Sequence, residues 1–361
     1  MPTIKRTTSG DRTRIDLLLD DDTSASHLSV VDLPLRVGNL VVRCGGIAGV
    51  GTDREQRNKG YARAVLEDSL AFMRQEGYPL SALFGISDFY PKFGYAPALV
   101  ECSTELATRY AERASARFDV REARPEDAPA IAAIYQQTRA YRTASISRDP
   151  ASWRGFRRGT HWDDRVGCFL VVDGERLLGY AAHDLNPWRC ALSEMGVIDP
   201  AAYSTIVAKA AQLAWEKRCE TITVHAPADD PFVRHCRRYG ARIEVTYPCC
   251  SGGMARVVDQ SALFAQLEPL LTARLQSALP GWEGTLSVAT ELGSERLRFG
   301  HGARQVAVEM PQGALAQLAL GFRSAAEAAT EGDTHIGEGA LPVLGALFPA
   351  GYPYIDWSDR F

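Results

Sequence analysis

Arg57, Gly60 and Ala62 stand in the spacing Arg-x-x-Gly-x-Ala, directly behind the small-residue run Gly45-Gly-Ile-Ala-Gly-Val-Gly-Thr52. The stretch reads as a strand, a polar turn and a helix beginning near Gly60. A glycine at that point lets the backbone approach a ligand with no Cβ in the way. The first free N–H groups of the helix, with its dipole, then face the ligand and favour an anion. Arg54, Arg57 and Lys59 add positive charge around the same turn. The chemistry is that of a pyrophosphate cradle. It is neither a Gly-x-x-x-x-Gly-Lys-Ser/Thr loop nor a Gly-x-Gly-x-x-Gly loop.

The surrounding elements follow from periodicity and turn residues. Residues 1–44 read as antiparallel strands that lead into the strand 45–53, with no long amphipathic helix before it. From Gly60, Ala62, Val65, Leu66, Leu70 and Met73 recur at helical spacing until Gly77-Tyr-Pro ends the helix. A buried strand at 81–85, a short helix at 87–95 and a strand at 96–100 follow. Residues 106–117 read as a charged helical connector.

The pairing of Arg57-x-x-Gly60-x-Ala62 with Tyr90 and then Phe93-Gly94-Tyr95 resembles the amino-terminal domain of the Eis (enhanced intracellular survival) type of GNAT N-acetyltransferases. The chain restarts near Phe118. A strand, a helix at 128–139, a hairpin around Asp173-Gly174, a helix at 203–217 and strands at 221–225 and 241–245 repeat the GNAT-like order. This second copy carries Val197-Ile-Asp-Pro-Ala-Ala-Tyr203 where the cradle belongs, and Pro200 argues against CoA there. Glu194 reads as a remnant base or an ordinary strand residue, the second being the simpler. The last segment opens with an amphipathic helix at 261–279 that Pro269 should kink or divide. It resembles the sterol-carrier-protein-like domain of the same family. The expected fold is α/β (α+β), with an N-terminal GNAT domain at 1–117, a second GNAT-like domain at 118–256 and a sterol-carrier-protein-like domain at 257–361. The family's first domain usually has two further helices near its start. Their absence here leaves the acceptor open.

The resemblance implies acetyl-CoA as co-substrate and a primary amine of a small molecule, peptide or protein as acceptor. It implies cofactor contacts from Ala48, Val50 and Thr52 on the strand and from Arg57, Asn58, Lys59, Gly60, Tyr61 and Ala62 around the turn. It makes Tyr90 the acid for the leaving thiolate and Phe361, by its terminal carboxylate, the group facing the amine. A phenol near pKa 10 and a thiol near 8.5 put the first transfer uphill by about 2 kcal/mol. A carboxylate near about 3.5 against an alkylammonium near 10.4 leaves about 9 kcal/mol, so Phe361 is expected to position and accept. Tyr95 reads as structural. Two other readings stay open: a non-catalytic acyl-CoA sensor, and a lipid or small-molecule carrier built on the last domain.

With 361 residues, 46% hydrophobic and 23% charged, the chain has the make-up of a soluble multidomain protein. A net charge of −4 gives no reason to expect nucleic acid or an anionic membrane as partner. No secretory signal or bilayer-length apolar run is evident, so a cytoplasmic location is expected. The eight cysteines form no Cys-x-x-Cys pair and read as buried thiols, with no metal expected. A homo-oligomer is left open.

Overall fold

The structure is a computed structural model that describes residues 2–361. Its first stretch gives β1 (Thr3–Ser9), β2 (Arg12–Leu18), β3 (Ser24–Val37), β4 (Leu40–Thr52), α1 (Tyr61–Gln75), β5 (Leu80–Gly85) and β6 (Ala96–Pro97). The first four strands are successive antiparallel hairpins with no helix between them. In β2 the buried residues are Thr13, Ile15 and Leu17, the alternation of a strand with one wet face. On α1, Val65, Leu66 and Met73 are buried in one cluster with Ile15, Leu28, Val30 and Ile47. Each such aliphatic side chain contributes about 1.5–3 kcal/mol by leaving water.

Next come β7 (Glu101–Ala107), α2 (Thr108–Ala111), β8 (Asp119–Glu122), α3 (Ala128–Thr138), β9 (Val166–Asp173), β10 (Arg176–Asp184), β11 (Cys190–Val197), α4 (Tyr203–Glu216), β12 (Thr221–Val224), α5 (Pro231–Cys236) and β13 (Arg242–Thr246). Two expectations fail here. The strand expected at 96–100 is a two-residue bridge, and most of the expected helical connector is β7 or coil. The reason is period-two burial of Cys102, Thr104 and Leu106, masked in the sequence by the charges of Glu101 and Glu105.

The remainder holds β14 (Gly252–Val257), α6 (Gln260–Ala278), β15 (Gly284–Thr290), β16 (Gly293–Phe299), β17 (Arg304–Glu309), α7 (Gln312–Leu320), α8 (Ala325–Thr330), β18 (His335–Ile336) and α9 (Ala340–Leu347). Pro269 does not divide α6, which runs through it as one helix capped by Asp259. An interior proline costs about 3 kcal/mol. Burial of Leu263, Phe264, Leu267, Leu270, Leu271 and Leu275 offsets that cost. The carboxy-terminal segment is α9 and a 3₁₀ turn at Trp357–Asp359.

The chain forms two compact units. One comprises residues 2–99, 248–353 and Phe361; the other comprises 100–247 and 354–360. The first holds a seven-stranded sheet in the order β1-β2-β3-β4-β5-β14-β6 and a four-stranded sheet β16-β15-β17-β18. The second holds a seven-stranded sheet in the order β13-β7-β12-β11-β10-β9-β8. Both large sheets have a parallel pair, β4 with β5 and β11 with β12. Both also place one strand between that pair and the last strand. In the first unit it is β14, which lies far along the chain; in the second it is β7, made before the rest.

The second unit has a charged interior. Arg148 donates to Glu194 through Nη1 at 2.7 Å and Nη2 at 2.5 Å, and to Asp359 at 2.9 Å. Arg139 reaches Asp230 and Asp356, each at 3.3 Å. Tyr180 Oη donates to Glu194, and Tyr135 Oη bridges Asp356 and Asp359. Glu194 is fully buried, so it is an internal ion-pair partner rather than an ordinary strand residue. Glu194, Asp356 and Asp359 also lie within 4.8 Å of one another, with arginines supplying their counter-charge.

His225 of the same unit has its pKa pushed down to about 4, by burial first and by Arg360 second. The unfolded chain protonates near 6.5 while the folded imidazole stays neutral, so stability is full above 6.5 and falls with pH toward 4. That gap is worth roughly 3 kcal/mol. Urea unfolding from pH 7 to 4 should show this loss in the wild type and not in His225→Asn. Equal pH slopes would rule it out.

Candidate active site

The pairing of β4 with β5 runs from Cys44↔Leu80 to Ile47↔Leu83 and stops there. Beyond it, β4 continues to Thr52 and β5 to Gly85 without bonding to each other. The two strands therefore open a gap lined by backbone groups. A bulge helps to turn β4 away: Ser29 faces Ala48 and His27 faces Gly51, which leaves one extra residue on β4. Gly49 sits in that bulge at φ +58°, a conformation that costs an ordinary residue about 1–2 kcal/mol.

After β4 the chain makes a 3₁₀ turn at Arg54–Gln56 and enters α1 through Gly60. Asn58 at φ +62° and Gly60 at φ +81° are both left-handed, which tips the turn into the helix. From the sequence, Gly60 is expected to allow the close approach of a ligand. Its backbone conformation is the demand that the structure shows, since a Cβ there would meet nothing within 4 Å. Ala64 N–H bonds Gly60 O at 3.0 Å, so the amides of Tyr61, Ala62 and Arg63 are the unpaired first donors of α1. Arg57, Asn58 and Lys59 are exposed around them. Arg57 Nε reaches Thr52 O at 3.4 Å and Lys59 Nζ donates to Gln56 at 2.8 Å, which fixes both cations beside the turn.

The expected strand residues divide by role. Ala48 is buried. Val50 packs on the core beneath α1, and the Thr52 hydroxyl lies 2.9 Å from Ser26 Oγ. Of the three, only Ala48 is fully buried; Val50 and Thr52 are half-buried. Tyr61 and Ala62 are half-buried on the first turn of α1.

Side-chain alternation then sorts the gap into two faces. Gly45, Ile47, Leu83 and Gly85 point toward α1, where a Cβ on Gly45 would meet Met73 at 2.1 Å. Tyr90 belongs to this face, because a Cβ on Gly85 would meet its ring at 2.5 Å. Gly46 and Phe84 point the other way. Phe361 lies there: a Cβ on Gly46 would meet its ring at 2.7 Å, and its centroid is 5.9 Å from that of Phe84. Gly46, Phe84 and Gly85 were missed in the sequence. The signal for Gly46 was the density of glycine through 45–52, which reads as generic flexibility until the pairing is known; Phe84 and Gly85 carried none.

Tyr90 opens a 3₁₀ turn at Tyr90–Phe93, with Pro91 at its start and Gly94 left-handed at its end. Its ring packs edge-on to Phe89 at 5.0 Å and to Tyr95 at 6.1 Å. Burial raises its pKa above the ordinary 10, so it stays a neutral phenol through the physiological range. The same shift makes transfer to a thiolate uphill by more than the 2 kcal/mol expected from unperturbed values. Tyr95 differs. Its hydroxyl lies 2.7 Å from Ser81 Oγ, which itself donates to Gly45 O at 2.7 Å, so it braces β4 against β5.

A methyl group on Gly46 would overlap Leu33 at 2.6 Å as well as Phe361. Gly46→Ala should therefore cost about 1–3 kcal/mol of stability. Phe361→Ala should recover part of this in the double variant. Strict additivity of the two would contradict the contact.

Residues 5–98 match the model of the acetyltransferase (GNAT) domain family. The chain therefore carries an acyltransferase domain of the GNAT class. No curated protein sequence matches the chain. Among solved structures, a GCN5-related N-acetyltransferase from Anabaena variabilis is similar at 19% identity, with a TM-score of 0.74, over 96% of this chain and 89% of that one. A probable N-acyltransferase of unknown function from Enterococcus faecalis is similar at 16% identity and a TM-score of 0.75, over 97% and 90%. Eis1 from Mycobacterium abscessus is similar at 18% identity and a TM-score of 0.64, over 96% and 91%. These likenesses establish a shared fold over nearly the whole length, with mixed sheets in tandem. No helix among the described residues is long and apolar enough to cross a membrane.

Proposed function

We propose that this protein is an acetyl-CoA-dependent N-acetyltransferase that acts on a primary amine of a small molecule, peptide or protein. The observation that carries the reading is the gap between β4 and β5, with the cradle and Tyr90 on one face and Phe361 on the other. Donor and acceptor enter from opposite faces and meet between the strands. The amides at the start of α1, with Arg57 and Lys59, hold the pyrophosphate. The free edge of Ala48–Thr52 bonds the pantetheine arm and polarises the thioester carbonyl. Tyr90, on the donor face, gives its proton to the departing thiolate. Phe361, on the opposite face, directs the carboxylate it carries in this chain toward the incoming ammonium.

The division into GNAT domains at 1–117 and 118–256 and a sterol-carrier-protein-like domain at 257–361 belongs to the same proposal, with β7 and β14 exchanged between the first two. The four-stranded sheet with α6 to α9 supports the last of these. Calorimetry with acetyl-CoA, followed by thiol release over a panel of amines, tests the function. Saturable binding and amine-dependent release are expected. No binding would overturn the reading, and binding without turnover on any amine would leave a sensor.

A further inference from the structure

The second unit repeats the path strand, 3₁₀ turn, helix: β11 leads through Pro200–Ala202 into α4. At the place that corresponds to the cradle of the first unit lies a cavity of about 790 Å³. Its size falls within the usual range of small-ligand sites, about 300–1,000 Å³. Arg113, Arg117, Arg234 and Arg238 line it, and no aspartate or glutamate does. None of these four guanidinium groups has a carboxylate partner among the described residues. Arg113 alone has another partner, the Tyr110 ring at 5.2 Å. In a chain with a net charge of −4, four unmatched arginines around one concavity form a local positive field.

The floor is suited to an ester rather than a bare ion. Ser204 Oγ lies 3.3 Å from His235 Nε2 and 3.3 Å from Tyr239 Oη. The His235 ring is 5.4 Å from Tyr203 and 5.8 Å from Tyr239, so three rings make a continuous wall. The helix start itself is not the anion site, because Asp199 already accepts the Ala201 N–H at 3.0 Å. The arginines are. Guanidinium forks match phosphoryl oxygens two at a time, and four of them suit a ligand with more than one phosphoryl charge.

We propose that this cavity of the second unit binds a multiply charged phosphate ester. The ligand's phosphates lie among Arg113, Arg117, Arg234 and Arg238, and a planar group, where present, lies on the ring wall. The site is independent of the acyl-transfer reading and stands or falls without it.

The test is calorimetry of the full chain with inorganic pyrophosphate, ADP and CoA, repeated on Arg234→Ala/Arg238→Ala and on Arg57→Ala. Both arginines are exposed, and the melting temperature without ligand should be unchanged. The expected result is a saturable pyrophosphate site that the double variant weakens at least tenfold and that persists in Arg57→Ala, which removes only the binding contributed by the cradle of the first unit. ADP binding tighter than pyrophosphate, with the same variant dependence, identifies a nucleotide as the source. A second CoA equivalent lost only in the double variant identifies the cofactor itself. Pyrophosphate binding that is indifferent to Arg234 and Arg238 overturns the proposal. So does retention of nucleic acid alone, with no small phosphate bound.

Discussion

Tyr90→Phe should lower amine-dependent turnover by about 100-fold while the affinity for acetyl-CoA stays the same. General acid catalysis contributes about 10²–10⁴ in rate. The lower end applies because burial makes this phenol a weaker acid than a free tyrosine. The substitution keeps the ring contacts with Phe89 and Tyr95 and removes only the proton. Tyr95→Phe is the informative companion. It removes the hydroxyl beside Ser81, so it should cost about 1 kcal/mol of stability and leave the chemical step nearly intact. Steady-state thiol release and acetyl-CoA calorimetry on both variants separate the roles. Wild-type turnover in Tyr90→Phe would take the tyrosine out of the mechanism.

The second large effect concerns stability. Arg148→Met should destabilise the protein by about 3–5 kcal/mol, because it strands Glu194 and Asp359 without their counter-charge. Arg148 and Glu194 are both almost wholly buried, so solvent cannot step in. A domain of this size loses about 2–4 °C of melting temperature per kcal/mol, which predicts a fall of roughly 10 °C by scanning calorimetry. The added change Glu194→Gln should restore part of the loss, since it removes one stranded charge. A melting temperature within a degree of the wild type in Arg148→Met would refute the account.

The two predictions differ in how far the sequence foreshadows them. The cradle is local: small residues, a turn and a helix start lie within about two dozen positions, and each leaves its own mark. The turn that carries Tyr90 is equally local, bracketed by Pro91 and Gly94, but the tyrosine itself is picked out only by the family resemblance. Arg148, Glu194 and Asp359 lie 46 and 211 positions apart, and nothing about a lone arginine in a loop announces a buried partner. Strand pairing is hidden for a related reason. Charges mask the alternation of β7, β14 is buried through Gly253, Met254 and Ala255 without alternating, and neither pattern says which neighbour supplies the hydrogen bonds. The sorting of Tyr90 and Phe361 onto opposite faces likewise needs the register of β4 against β5.

The placement of β14 has a consequence for how the chain is made. The first sheet closes between β5 and β6 only when residues 252–257 have left the ribosome. At ~5–20 residues per second, roughly 10–30 s pass between the emergence of β6 and that of β14. During that interval the nascent chain carries an open edge on β5, while β7 waits for β12 and β13. Neither large sheet can be finished from the first part of the message alone. A chain released after its first 117 residues would carry three unsatisfied strand edges, one on β5 and both of β7, which a holding chaperone would recognise.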